Sequence, residues 1–205
     1  MKYFFLDTSN SNLILAIYKN KTCLAYYNKP CDNSLSSEVM VIIDKLFKQA
    51  RVNPCDINKI FVAIGPGSFT GIRIGVTIAK IYAWTFNIKI VPVSSLEVLA
   101  TTRFRGYAIV PLIDARRGYV YAGVYDKHLN IKNSDCYISL EKIKLDNKKC
   151  VVCSYDNFDG LKVIKPNVQL IKVIKKHEKD LPIDPHMINP SYLKLTEAEE
   201  KFQNE

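Results

Sequence analysis

A glycine-rich segment, residues 65–75 with the sequence GPGSFTGIRIG, joins a short apolar strand to an apolar helix. It lacks the Gly-Lys-Ser/Thr ending of a P-loop and the glycine spacing of a dinucleotide-binding turn. Gly67, Gly71 and Gly75 recur every four residues, so Gly71 and Gly75 share one helix face. Each glycine inside a helix costs roughly 1 kcal/mol relative to alanine. The spacing therefore favours close packing of another backbone on this face, with anion binding at the helix N-terminus or simple turn geometry as the alternatives.

The order of the predicted elements indicates an α/β chain with two similar halves. The first half is predicted to contain strands at 3–6, 13–18 and 22–27, a helix at 38–51, a strand at 60–64, a helix at 70–86 and a strand at 89–93. The second half is predicted to contain strands at 107–113, 119–125, 149–153 and 169–174, weaker helices at 140–145 and 157–163, and a terminal helix at 192–202. Because both halves begin with antiparallel strands, we expect a duplicated architecture.

Both helices of the first half are apolar around most of their circumference, as the run Val-Met-Val-Ile-Ile at 39–43 illustrates. A helix that only covers a sheet carries one apolar stripe. The remaining apolar surface predicts a partner, unless both helices are sandwiched within the chain. The predicted outward stripe consists of Met40, Ile43 and Phe47 on the first helix and Gly71, Gly75, Ile78 and Tyr82 on the second. The alternative outward set on the first helix is Val39, Ile42 and Leu46. If the first of these stripes faces the partner, we expect the Gly75→Leu variant to lose partner binding while the chain still folds.

The charge balance is compatible with an RNA partner but does not require one. The chain carries 29 basic and 20 acidic residues, a net charge of +9, spread over both halves. Such a field attracts polyanions, although a solvated lysine-rich surface is the simpler explanation, because charge alone does not establish binding. There is no apolar run of 18 residues and no apolar signal core near the N-terminus. We therefore expect a cytoplasmic protein that does not enter a membrane.

No residue set suited to a metal ion or to catalysis stands out in the sequence. The three histidines, His128, His177 and His186, include no pair four residues apart. Cys150 and Cys153 have the spacing of a metal knuckle, but in a strand they project to opposite faces. We therefore predict no intrinsic metal site. No Ser/His/Asp set with assignable roles is evident either.

Two turns carry polar residues whose role is open. Asp7, Thr8 and Ser9 follow the first strand and could bind the phosphates or the Mg²⁺ of a nucleotide, whereas the simpler interpretation is that Asp7 caps backbone amides of its turn. The second turn carries Asp114, Arg116 and Arg117. We predict that these residues shape the turn, with a phosphate contact by the arginines as the alternative.

These segments, taken together, resemble the TsaB (YeaZ) family. The resemblance rests on residues 7–9, 65–75, 93–97, 113–118 and 190–194, which follow the order of the family. It implies the actin/sugar-kinase-like (ribonuclease H-like) fold, in which two lobes each begin with a β-meander. We accordingly place the first lobe at 1–102, joined by a terminal helix at 191–205, and the smaller second lobe at 103–190.

The resemblance also implies a function. Family members are non-catalytic scaffold subunits that bind the related enzyme TsaD through the two helices of the first lobe. TsaD, assisted by the ATPase TsaE, transfers a threonylcarbamoyl group to adenosine 37 of tRNA. The implied partners are thus TsaD, TsaE, tRNA through the complex, and a second copy of the chain when TsaD is absent. No tightly bound cofactor is expected, and ATP or ADP at the partner interface is left open. The alternative function is a nucleotide-dependent phosphotransferase or hydrolase of the same fold.

Overall fold

The computed structural model describes residues 1–31, 35–143 and 150–194. Its first sheet has the strand order β3-β2-β1-β4-β5. The elements of this half are β1 (Lys2–Asp7), β2 (Asn12–Lys19), β3 (Thr22–Pro30), α1 (Leu35–Ala50), β4 (Lys59–Ala63), α2 (Phe69–Thr85), β5 (Lys89–Val93) and α3 (Ser95–Ala100). Strands β1 to β3 form an antiparallel meander, and β4 and β5 run parallel to β1. The central strands are apolar on both faces because both faces of this sheet are covered.

The second sheet repeats this plan with shorter helices. Its elements are β6 (Ala108–Asp114), β7 (Tyr119–Asp126), β8 (Ile131–Ser139), β9 (Cys150–Cys153), β10 (Val163–Ile164) and α4 (Leu170–His177), in the strand order β10-β9-β6-β7-β8. Strands β6 to β8 form a second antiparallel meander, and β9 is parallel to β6. The two meanders confirm the predicted α/β class and the duplicated two-lobe architecture.

Three apolar clusters hold these layers together. Helices α1 and α2 cover the outer face of the first sheet. Helices α3 and α4 lie in the cluster that joins the inner faces of the two sheets, and a smaller cluster covers the outer face of the second sheet. Two backbone contacts of the segment after α4 also join the halves of the chain. The amide of Ser191 donates to the Ile64 carbonyl, and Ile183 forms an isolated β-bridge with Ile90. Among the described residues, no helix has the length and hydropathy needed to cross a membrane.

Several predicted elements differ from the structure. The predicted strand at 169–174 is wrong: this segment begins helix α4, whose residues Leu170, Val173 and Ile174 are buried at helical spacing. Residues 157–163 form no helix. Of the helix predicted at 140–145, residues 140–142 form a single 3₁₀ turn, and 144–145 lie outside the described residues. Helix α3 and strand β8 were not predicted. Residues 192–194 are not helical, and the rest of the predicted terminal helix lies outside the described residues.

Candidate functional site

A cleft of about 700 Å³ opens between the two lobes. The carboxyl end of β1, the N-terminus of α2 and the β6–β7 turn meet there, because each sheet presents the same edge to the gap. The polar and aromatic residues on its walls include Thr8, Ser9, Ser68, Phe69, Asp114, Arg116, Tyr121 and Asp156. The cleft therefore brings the two polar turns of the sequence together.

The Asp7 carboxylate does not line this cleft. It is completely buried, and it accepts hydrogen bonds from the Ser9 amide (2.8 Å), the Ser9 hydroxyl (2.5 Å) and the Asn10 side-chain amide (3.2 Å). Burial raises the pKa of Asp7 to about 6, although these hydrogen bonds act in the opposite direction. Asp7 thus caps its own turn, as the simpler interpretation of the sequence had it.

The other two candidate cofactor residues, Thr8 and Ser9, do line the cleft. Their hydroxyl groups already have partners inside the chain. The Thr8 hydroxyl donates to the Gly71 carbonyl at 2.7 Å, and the Ser9 hydroxyl donates to Asp7. A ligand would therefore have to compete with these internal hydrogen bonds.

The glycine face of α2 packs against the chain itself. A Cβ atom at Gly71 would overlap the carbonyl oxygen of Thr8, and one at Gly75 would overlap the Thr8 side-chain oxygen. A Cβ atom at Gly67 would overlap the Ser9 carbonyl oxygen. Close packing of a second backbone is therefore confirmed, but that backbone is the β1–β2 turn. The expectation that Gly75→Leu leaves the chain folded is corrected accordingly.

The predicted outward stripe is also corrected. Of its members, only Met40 is exposed. Ile43, Phe47 and Ile78 lie in the core beneath the helices, and Tyr82 is half-buried against Phe47 and Phe4 with ring centroids 6.0 Å apart in both cases. In the alternative set, Val39 and Leu46 are buried and Ile42 is half-buried. The large side chains of α1 point at the sheet because the sheet is the larger apolar surface available.

Met40 and three further apolar side chains form part of the exposed surface of these helices, which we call the α1/α2 face. They are Met40 (48% exposed), Val41 (53%), Ile81 (55%) and Trp84 (73%). This exposure excludes the alternative in which both helices are sandwiched within the chain. The sequence analysis missed Val41, Ile81 and Trp84 because it assigned the wrong side of each helix to the core. Ile81 and Trp84 are spaced i, i+3 along α2 away from the glycine stripe, but the sequence alone does not say which side of the helix faces solvent.

The β6–β7 turn is held by its own polar groups. The Asp114 carboxylate accepts a hydrogen bond from the Arg116 amide at 2.9 Å and lies 3.5 Å from the Arg116 guanidinium group. Asp156 accepts a hydrogen bond from the Asp114 amide at 3.0 Å. Arg116, Arg117 and Gly118 all have positive φ angles, of 68°, 56° and 76°. These contacts support the predicted role of Asp114 and Arg116 in shaping the turn.

A buried ion-pair network, absent from the sequence predictions, links α3 to α4. Glu97 is 4% exposed and lies 2.6 Å from Lys176 Nζ and 2.8 Å from His177 Nε2, while His177 Nδ1 lies 2.6 Å from Asp180. The hydrogen bond to Glu97 raises the pKa of His177. Burial would raise the pKa of Glu97, but the hydrogen bonds from His177 and Lys176 outweigh burial and lower it. The network joins the two lobes.

The cysteine pair lies in β9, with Cys153 buried and Cys150 half-buried, which is the strand geometry expected from the sequence. Burial raises the pKa of the Cys153 thiol to about 11. In the part of the chain that the structure describes, no three or more His, Cys, Asp or Glu side chains are grouped to hold a metal ion.

Comparison with known proteins identifies relatives that span the whole chain. A family model described as "TsaD: tRNA N6-adenosine threonylcarbamoyltransferase" matches residues 30–170. The tRNA threonylcarbamoyladenosine biosynthesis protein TsaB of Bacillus subtilis is 33% identical, with 98% of each chain aligned. The protein of the same name from Buchnera aphidicola (strain Sg) is 28% identical over 86% of this chain and 89% of its own.

A solved structure agrees with the fold. YeaZ from Pseudomonas aeruginosa superposes with a TM-score of 0.79 at 18% sequence identity, over 94% of this chain and 99% of that chain. The likeness covers both lobes. The family follows from the sequence: because the B. subtilis protein is 33% identical over 98% of both chains, this chain belongs to the TsaB family.

Proposed function

We propose that this chain is the TsaB-type subunit in the formation of threonylcarbamoyladenosine in tRNA, and that it supports a catalytic TsaD-type subunit without a reaction of its own. The names of its relatives support the pathway. Its likeness to the TsaD family model over residues 30–170 supports a partner of related fold. Two chains of one fold can pack equivalent surfaces against each other around an approximate twofold axis.

The observation that carries the proposal is the α1/α2 face. The core needs only the inner sides of these helices, yet Ile81 and Trp84 remain 55% and 73% exposed. Fully burying such side chains contributes roughly 1.5–3 kcal/mol each before the costs of association. Large exposed apolar side chains that the core does not need are typical of a protein–protein interface. We assign it to the TsaD-type partner, or to a second copy of the chain when that partner is absent.

The Asp7 turn supports the scaffold role over the alternative of a nucleotide-dependent enzyme. A phosphotransferase of this architecture needs a carboxylate free to hold a metal–phosphate group. Asp7 is completely buried and occupied by Ser9 and Asn10. ATP turnover by the isolated chain would favour the alternative.

Co-purification with the TsaD-type protein of the same organism tests the proposal. We expect the double variant Ile81→Asp/Trp84→Ala to lose the complex at micromolar concentration, because a buried unpaired carboxylate strongly opposes association. Its melting temperature should stay close to that of the unmodified chain, since both side chains are exposed. Leu181→Asp is the matched control, because Leu181 is 87% exposed in the connector outside α1 and α2. A complex unaffected by the double variant would contradict the assignment of this face.

The proposal includes three further components. ATP or ADP binds at the interface between the subunits, a TsaE-type ATPase joins the complex, and tRNA is bound by the assembly. Reconstitution of the modification on a tRNA transcript, omitting one component at a time, tests each of them. The location in the cytoplasm follows from the same pathway and is tested by cell fractionation.

A further inference from the structure

Three tyrosines form a continuous aromatic surface on the second lobe, which we call the tyrosine ladder: Tyr119, Tyr121 and Tyr137. Tyr121 and Tyr137 are directly opposite each other in the β7–β8 register. The rings of Tyr119 and Tyr137 are stacked, with centroids 4.8 Å apart and an interplanar angle of 11°. The Tyr121 and Tyr137 rings are 5.7 Å apart.

The ladder extends from the core into solvent. Tyr121 packs against the cluster between the two sheets and also lines the interlobe cleft. Tyr119 lies beyond it on the same strand face and is 41% exposed. One end of the ladder is therefore anchored by packing, and the other end offers an aromatic ring to a ligand.

Positively charged side chains lie beside Tyr137 and next to Tyr119 in the chain. Lys194 Nζ lies 5.8 Å from the centre of the Tyr137 ring. Arg116 and Arg117 occupy the turn that leads directly into Tyr119. Within residues 1–31, 35–143 and 150–194, neither Arg117 nor Lys194 is in an ion pair with a carboxylate, whereas Arg116 pairs with Asp114. With a net charge of +9, the chain as a whole also attracts polyanions.

The turn itself gives an independent reason to suspect function. A tight hairpin with positive φ angles favours Asn, Asp or Gly, and the β2–β3 hairpin of this chain does use Asn20 (φ 54°). The β6–β7 turn instead places two consecutive arginines at φ angles of 68° and 56°. Unfavourable backbone conformations of this kind concentrate at functional sites. The turn therefore holds two consecutive cations at its tip in a backbone conformation that disfavours them, whereas Arg51 (φ 53°), which follows α1, is a single residue of this kind.

We propose that the tyrosine ladder and the arginines of the β6–β7 turn bind RNA, with an unpaired base stacked on Tyr119 and Arg117 against a phosphate. Stacking platforms flanked by cations are how proteins hold single-stranded nucleic acid. This inference rests on the proposed function, because the RNA in question is the tRNA that is modified. It assigns an RNA contact to this subunit itself, on the second lobe and away from the α1/α2 face.

The first experiment compares two arginines in the same backbone conformation. Arg117 and Arg51 are both exposed and both have positive φ angles, of 56° and 53°, but Arg51 follows α1 in the other lobe. We expect Arg117→Asn and Arg51→Asn to raise the melting temperature alike, since Asn tolerates this region better. Only Arg117→Asn should weaken binding of a fluorescein-labelled tRNA transcript and lower the slope of log K against log salt by about 1. Equal tRNA binding by both variants would overturn the arginine contact.

The second experiment tests stacking. Tyr119→Ala should weaken binding of tRNA and of single-stranded oligoadenylate about 5- to 150-fold, while Tyr119→Phe should bind normally. Tyr107→Ala is the control, because Tyr107 is 67% exposed at the opposite end of β6. Polyphosphate has the charge but no bases, so its binding should not respond to Tyr119→Ala.

Each outcome separates the inference from the proposed function. If Tyr119→Ala binds RNA normally, the stacking proposal fails, while the complex with the TsaD-type subunit and its activity can still be observed. If Tyr119→Ala instead loses that subunit, the ladder is a protein interface and the RNA proposal is overturned. Photocrosslinking of the tRNA in the intact complex should map to the peptide that contains Tyr119, and a crosslink elsewhere in this chain would likewise contradict the proposal.

Discussion

The contact between Gly75 and Thr8 makes a quantitative prediction about the core. A methyl group at Gly75 would overlap the Thr8 side-chain oxygen, while the Thr8 Cβ atom would remain at an ordinary 3.5 Å. The cheapest escape is rotation of the Thr8 side chain, which breaks its buried 2.7 Å hydrogen bond to the Gly71 carbonyl. Losing a buried hydrogen bond costs about 1–3 kcal/mol, and forcing an extra carbon into a packed site costs a further 1–3 kcal/mol or so.

The net effect follows from these opposing contributions. Gly→Ala inside a helix gains about 1 kcal/mol of helix propensity, so we expect Gly75→Ala to destabilise the chain by about 1–5 kcal/mol. For a chain of 205 residues, each 1 kcal/mol lowers the melting temperature by about 2–4 °C. Thr8→Ala alone loses the hydrogen bond. In the double variant the Thr8 side-chain oxygen that would overlap the new methyl group is gone. The effects of the two substitutions on the free energy of unfolding should therefore not be additive.

Chemical denaturation of the four chains in this double-mutant cycle measures the coupling. We expect a favourable coupling of about 1–3 kcal/mol between Gly75→Ala and Thr8→Ala. Gly71→Ala provides the matched comparison, because its new methyl group meets the Thr8 backbone carbonyl, which no side-chain change removes. Additive effects in the first pair, or rescue of Gly71→Ala by Thr8→Ala, would refute this account of the glycine face.

Three further predictions concern titratable groups. Burial raises the pKa of Asp7 to about 6, so the folded chain binds this proton more tightly than the unfolded chain does. The free energy of unfolding should therefore rise as the pH falls from 6 towards 4. Asp7→Asn should abolish this rise in urea titrations repeated at a series of pH values. The pKa of His177 is raised and that of Glu97 is lowered in the folded chain. The stabilisation from His177 should therefore be lost as the pH rises above 6.5 through its folded pKa, and that from Glu97 as the pH falls below 4.5 through its folded pKa. His177→Gln should reduce the pH dependence of the free energy of unfolding in both ranges. Cys153 is buried with its pKa raised to about 11, so timed alkylation with mass spectrometry should label exposed Cys55 in the native chain and Cys153 only after unfolding.

The sequence predicted the first lobe well because its elements have strong local signals. The strands of the meander are separated by polar turns, and the predicted strand at 89–93 matches β5 (Lys89–Val93) residue for residue. Both helices of this lobe begin and end within three residues of their predicted bounds on the described chain. Capping supports α2, since the Ser68 side chain accepts a hydrogen bond from the Gly71 amide at 3.2 Å.

The second lobe was harder to predict because its signals are shorter and less regular. The first half of strand β8 is exposed and mostly polar, so no alternation of apolar and polar residues marked it as a strand. Helix α4 has eight residues, and its β-branched content suggested a strand. The ion pairs of Glu97 with Lys176 and His177 join residues about 80 apart in sequence, and only the fold brings such residues together.

The glycine stripe shows why the choice of helix face could not be settled from the sequence alone. Both sides of α2 are apolar, and periodicity does not say which side meets the sheet and which side meets solvent. The decisive contact is with Thr8, which lies 63 residues from Gly71. Once that turn occupies the glycine side, the opposite side, which carries Ile81 and Trp84, must face outward. The glycine side of α2 therefore lacks side chains because the β1–β2 turn of the same lobe packs against it. The bulky residues on the other side of the helix are the ones that a partner can contact.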